Sequence, residues 1–175
     1  MKDSNTVIII GLVHFLFAIL MGVYGFIFKK NRFDMLYLFY NLLVAISWSF
    51  YNGECVLTYW IKKYRNPKYV AGEESTNLED MYLLIGSKEI VSIVMTIGVV
   101  LSPISFYIVF KRNQFPSFIY FPFCISFLMY NIILRILSAK IYPEFFTMVQ
   151  NIFKVIFTSL FVLSLQFLYK KNNKH

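Results

Sequence analysis

The chain has 175 residues, 58% of them hydrophobic, 20% aromatic and only 15% charged, with a net charge of +8. Its mean hydropathy is +0.61. A soluble domain carries about 25% charged residues, and a chain this small could not bury so much apolar surface in a globule. The composition excludes a soluble enzyme, a disordered tail and a free nucleic-acid-binding domain. It predicts an all-α, polytopic transmembrane helical bundle.

A spanning helix needs about 20 mostly apolar residues. Five stretches qualify, and four is the alternative count. The first is Thr6–Phe28, longer than the apolar run of a signal peptide and without a small-x-small cleavage site after it, so it reads as a retained anchor. Along it Gly11, His14, Ala18, Gly22 and Gly25 fall at intervals of three and four, on one helical stripe. Small residues on such a stripe let a second helix approach closely. His14 shares the stripe and is expected to point into the bundle.

The second stretch, Met35–Tyr51, either ends there or runs on to Ile61. Asn41, Ala45, Ser49 and Asn52 share a face of it, and Gly53 is placed to kink it. Glu54, Cys55 and Thr58 follow, with Tyr59 and Trp60 marking a membrane interface. A polar loop, 62–80, then runs from KKYRNPK to EESTNLED. Its basic start suits lipid headgroups, and docking of a protein partner is the sharper alternative.

The remaining spans are Ile90–Phe110, Phe118–Leu137 and Phe145–Tyr169. Glu89, Ser92 and Thr96 share a face at the start of the third. Pro103 should kink that helix, with Ser102 and Ser105 near the freed carbonyls. Asn131 and Arg135 lie near the end of the fourth span, and Gln150, Asn151 and Lys154 near the start of the fifth.

Basic residues set orientation. One side would hold Lys29, Lys30, Arg32, Lys111, Arg112, Lys170, Lys171 and Lys174 against Asp34 alone. The other would hold seven basic residues against eight acidic ones. The C-terminus is therefore expected in the cytoplasm, and the N-terminus outside or in a lumen. The positive balance then reflects topology and attraction to anionic lipid, and no nucleic-acid partner is expected.

On this topology five ionisable residues from five spans share the outer half: His14, Glu54, Glu89, Arg135 and Lys154. A charge at the centre of a membrane helix costs about 2.5–3.5 kcal/mol on insertion scales, so such groups face the protein interior or water and pair. They are the candidate site, with Cys55, Thr58, Asn131, Gln150 and Asn151 as secondary members. Arg135 and Lys154 would hold an anionic group such as a lipid phosphate, and the carboxylates would balance them. A purely structural ion-pair lattice is the competing reading.

Other chemistry has less support. A His14–Cys55 nucleophilic pair requires the two within hydrogen-bond reach, and a glutamate with His14 could serve as base and acid. The chain lacks Cys-x-x-Cys and His-x-x-His spacing, a P-loop, a dinucleotide fingerprint and a serine-hydrolase elbow. No metal or cofactor is expected. Cys124 lies ~20 Å along its helix from the outer end at 1.5 Å per residue, too far for a bridge to Cys55.

Two segments, HFLFAILMGVYG (His14–Gly25) and ECVLTYWIKKYRNPKYVAG (Glu54–Gly72), resemble a family of small bacterial integral membrane proteins of unknown function. That family pairs a His-containing first span with a Cys-Pro-Leu-Thr motif after the second. Val56 stands where the family has proline, and the acidic residue that often follows the threonine is absent. The resemblance covers about 70 residues. It implies that His14 and Cys55–Thr58 form one functional unit, and it supplies no activity.

The sequence thus favours recognition of a lipid headgroup or small anion by a polar outer-half site. An intramembrane lipid-modifying enzyme and a membrane assembly protein held by the glycine stripe are the alternatives.

Overall fold

The computed structural model describes residues 4–73, 78–136 and 143–173. The described residues form helices only: α1 (Ser4–Ile27), α2 (Asp34–Phe50), α3 (Val56–Arg65), α4 (Glu79–Ile85), α5 (Lys88–Arg112), α6 (Ser117–Ile136) and α7 (Pro143–Asn172). Four are long and apolar enough to cross a membrane, within α1, α5, α6 and α7. The fifth apolar helix, α2, has 17 residues, roughly 25 Å at 1.5 Å per residue. The chain is an α-helical, multi-pass membrane protein.

The second apolar stretch stops at Phe50. Asn52 and Gly53 both take positive φ, 53° and 86°, a backbone region in which glycine carries no Cβ penalty. The reversal starts α3 as a separate helix, with Cys55 as its N-cap residue. The segment read as a polar loop is therefore partly helical. It contains the end of α3 and the start of α4, while residues 74–77 lie outside the described set.

Helix α1 packs on α5 and α4, α5 on α6, α6 on α7, and α7 on α2. Phe106 and Phe110 of α5, Phe123 and Phe127 of α6 and Phe157 of α7 are wholly buried. Tilted and edge-to-face pairs link them, among them Phe106–Phe127 and Phe123–Phe157, at 5.2 and 6.2 Å between centroids. Such pairing adds about 0.5–1.5 kcal/mol per pair beyond the area buried. Ile9, Leu16, Ile93, Val100, Phe118, Ile125 and Val155 lie exposed, as apolar residues facing lipid do.

The buried face of α1 carries Gly11, His14, Gly22 and Gly25, with Ala18 half-buried. A Cβ on Gly25 would lie 2.5 Å from the Ser105 carbonyl oxygen, so only glycine lets α5 come this close. The contact is polar as well as tight. Gly25 N–H donates to Ser105 Oγ at 2.8 Å, and the Tyr37 hydroxyl donates to the Met21 carbonyl at 2.7 Å. The Ser105 hydroxyl therefore supplies the proton it shares with Tyr37 Oη, 2.7 Å away. Ser105 thus ties three helices together instead of serving the break at Pro103. Ser102 bonds the Gly98 carbonyl at 2.6 Å.

At the opposite end from α3 and α4, Asp34 is wholly buried. It accepts bonds from Arg112 Nε and Nη2 at 2.8 and 2.5 Å, from Asn113 Nδ2 at 2.7 Å and from the Tyr24 hydroxyl at 3.1 Å. This cluster joins the α1–α2 connection to the end of α5.

Candidate functional site

Gly11 sets the geometry of the site. A Cβ there would lie 2.4 Å from the Asp80 carbonyl oxygen, so the absent side chain lets the first turn of α4 rest directly on α1. One turn further along α1, His14 meets the carboxylate that this contact delivers. His14 Nδ1 lies 2.7 Å from Asp80 Oδ2. The other oxygen, Oδ1, accepts from the Thr58 hydroxyl at 3.1 Å. Asp80 and Thr58 are wholly buried and His14 is 7% exposed. Burial pushes the Asp80 carboxyl up, but the hydrogen bond and charge of His14 outweigh it and hold the group below its ordinary value.

Cys55 completes the group. Its side chain lines the same cavity as the His14 ring. Cys55 caps α3 without a side-chain hydrogen bond to that helix. His14 and Cys55 both line a cavity of about 350 Å³, together with Trp48, Gly53, Ser92, Met95, Val99, Asn131 and Leu134. Asn131 is buried and donates to the Phe127 carbonyl at 2.8 Å. A second cavity, of about 210 Å³, lies between α1 and α5 and is lined by Ala18, Met21, Gly22, Val94, Gly98 and Leu101 among others. Trp48, Met95 and Val99 line both cavities. One face of the pair is thus polar, and the rest is hydrocarbon.

The other residues singled out in the sequence lie elsewhere. Glu54 is wholly buried in a separate cluster at the root of α3. Lys62 Nζ donates to its Oε1 at 2.5 Å, and the Tyr69 hydroxyl lies 2.9 and 3.0 Å from its two oxygens. Lys62, read in the sequence as touching headgroups, is 4% exposed, because α3 turns it back toward Glu54. Glu89 is exposed and accepts from the Ser87 hydroxyl at 2.9 Å. Lys154 faces Asn151 Oδ1 at 3.3 Å and the Phe50 ring at 5.4 Å, on the outer side of α7. Gln150 is buried beneath it, with Oε1 2.7 Å from the Tyr130 hydroxyl. The Arg135 side chain lies outside the described residues.

So His14, Cys55, Thr58 and Asn131 meet in one place, while Glu54, Glu89 and Lys154 occupy three others. Depth along a helix is not enough to bring charges together, since the faces of the helices diverge. Asp80 was missed because it closes an acidic run that reads as solvated. The available signals were the apolar MYLLI directly after it and the empty position at Gly11. Among the described residues no group of three His, Cys, Asp or Glu side chains is placed to hold a metal ion. Cys55 and Cys124 are free thiols.

Comparison of the chain with family models, with curated proteins and with solved structures gives no match.

Proposed function

We propose that the protein binds an amphiphile, holding its polar end beside His14, Cys55, Ser92 and Asn131 and its apolar chain between α1 and α5. The observation that carries this reading is the pair of cavities sharing Trp48, Met95 and Val99, one edged by polar groups and one hydrocarbon. Ligand sites are typically concave spaces of about 300–1,000 Å³, largely apolar with a few placed polar groups. A membrane lipid is the amphiphile at hand, and its headgroup is the part this polar edge would read. His14 and the Cys55–Thr58 segment then act as one unit, as the family resemblance implies.

The test uses Gly98, where an added Cβ meets nothing within 4 Å. Gly98→Leu should fold normally and fill the apolar cavity. Native mass spectrometry should show retention of co-purified lipid falling roughly tenfold or more, the scale on which small steric changes act in an apolar pocket. Unchanged retention by the folded variant would overturn the reading.

From the bias in basic residues we further propose that the C-terminus lies in the cytoplasm. Asn173 is exposed just beyond α7. In intact cells Asn173→Cys should react with an impermeant thiol reagent no more than the wild type does, and should label strongly after lysis. Strong labelling of intact cells would reverse the topology.

A further inference from the structure

We propose that Cys55 is the nucleophile of an acyl-transfer reaction, with His14 as its general base and Asp80 as the residue that positions His14. The substrate class is an amphiphile whose polar end carries an ester or thioester. The inference rests on the amphiphile pocket proposed above and assigns it a chemistry.

Three observations converge on Cys55. First, the thiol opens onto the same cavity as an imidazole, the partner a cysteine nucleophile needs to lose its proton. Second, that imidazole is held from behind. Asp80 Oδ2 engages Nδ1 at 2.7 Å, and Thr58 fixes the remaining carboxylate oxygen at 3.1 Å. A carboxylate on Nδ1 keeps the proton there, so Nε2 is the nitrogen left to exchange one. Third, Cys55 stands at the N-terminus of α3, a helix of 10 residues whose first turn its side chain does not cap. The opening N–H groups of a helix lack intrahelical acceptors, and the helix dipole there favours negative charge. These donors, at the end of α3 that Cys55 begins, are assigned to the oxyanion of the tetrahedral intermediate. The cavity in front of the thiol provides room for the substrate, and its continuation past Trp48, Met95 and Val99 accepts an acyl chain.

The steps balance without a redox partner. The Cys55 proton passes to His14, and Sγ attacks the carbonyl carbon. A carbon–sulfur bond forms, the bond from carbon to the leaving oxygen or sulfur breaks, and the leaving group takes the proton from His14. Water is the second substrate. His14 removes its proton, its oxygen attacks the thioester carbon, and Sγ departs and recovers a proton. The products are a carboxylic acid and an alcohol or thiol.

The experiment treats the full chain in nanodiscs with p-nitrophenyl octanoate and follows intact mass, with octanamide as an unreactive ligand of the same length. Wild type should gain one octanoyl group on Cys55, removable by neutral hydroxylamine as a thioester is. Cys55→Ala should gain none. His14→Gln should acylate at least about 100-fold more slowly, the lower end of the contribution of a general base. Asp80→Asn should shift the pH profile of acylation while its thermal unfolding shows a folded protein, which a purely structural role would not do. If His14→Gln fails to fold, the near-isosteric Cys55→Ser decides, because any octanoyl ester formed on serine resists neutral hydroxylamine. Octanamide retained by a wild type that stays unacylated overturns the nucleophile and leaves the pocket standing. Loss of octanamide retention together with acylation overturns both. Equal acylation of Cys55→Ala and wild type assigns the reaction to another residue and also overturns the proposal.

Discussion

Replacing Lys62 by methionine should lower the unfolding free energy by about 3–5 kcal/mol, the usual cost of leaving one buried charge without its partner. Lys62 is 4% exposed and Glu54 0%. The variant leaves the Glu54 carboxylate with the Tyr69 hydroxyl at 2.9 Å and the Gly72 N–H at 3.4 Å. Those dipoles do not replace an ammonium group in a site closed to water. The double variant Glu54→Gln, Lys62→Met removes both charges and should recover most of the loss, because a buried pair often contributes little net stability relative to neutral groups. Denaturant unfolding of the four proteins of this cycle measures the coupling. Single-variant losses that simply add in the double variant would show that the two groups do not act as a pair.

Gly11→Ala should be a strongly disruptive single-carbon change in the first helix. The added Cβ would meet the Asp80 carbonyl oxygen at 2.4 Å, with the carbonyl carbon at 3.0 Å. Both are backbone atoms, so α4 must move. Overpacking of this kind costs roughly 1–3 kcal/mol. The consequence for the site is larger than the number suggests, because the same segment of α4 carries the Asp80 carboxylate to His14. Asp80→Asn should then add little to a Gly11→Ala protein. The two changes should couple by about 0.5–3 kcal/mol, the range for residues in direct contact. Additive losses, or an alanine variant as stable as wild type, would mean that α4 does not depend on this approach. Gly22 offers the comparison on the same stripe. A Cβ there would meet its nearest neighbour, the Gly98 Cα, at an ordinary 3.7 Å, so Gly22→Ala should be nearly neutral.

The two ends of the bundle do different work. At the α1–α2 end the Asp34 cluster fixes helix ends, with Arg112 also donating to the Phe28 carbonyl. Every polar contact there closes on another protein group. At the α3–α4 end the polar groups border a cavity instead. That difference, more than the number of charges, supports the reading proposed for the His14 region.

Much of the architecture was legible in the sequence. Apolar length and composition determined a helical membrane bundle, because a bilayer accepts only segments whose backbone bonds are met internally. Threefold and fourfold spacing determined that Gly11, His14, Gly22 and Gly25 share a face, because helix geometry is local. The same logic placed Asn41, Ala45 and Ser49 on the buried side of α2. Which charge meets which was beyond such rules. Asp80 is 66 residues from His14 in sequence, and Lys62 pairs with Glu54 only because the chain reverses at Asn52–Gly53. Pairing of this kind depends on how two short helices, α3 and α4, settle against α1, and no periodicity encodes that. The sequence alone determined the membrane, the five apolar helices and the buried faces of α1 and α2. The tertiary structure alone decided that His14 meets Asp80 and shares a cavity with Cys55, since long-range contacts arise from packing of whole elements.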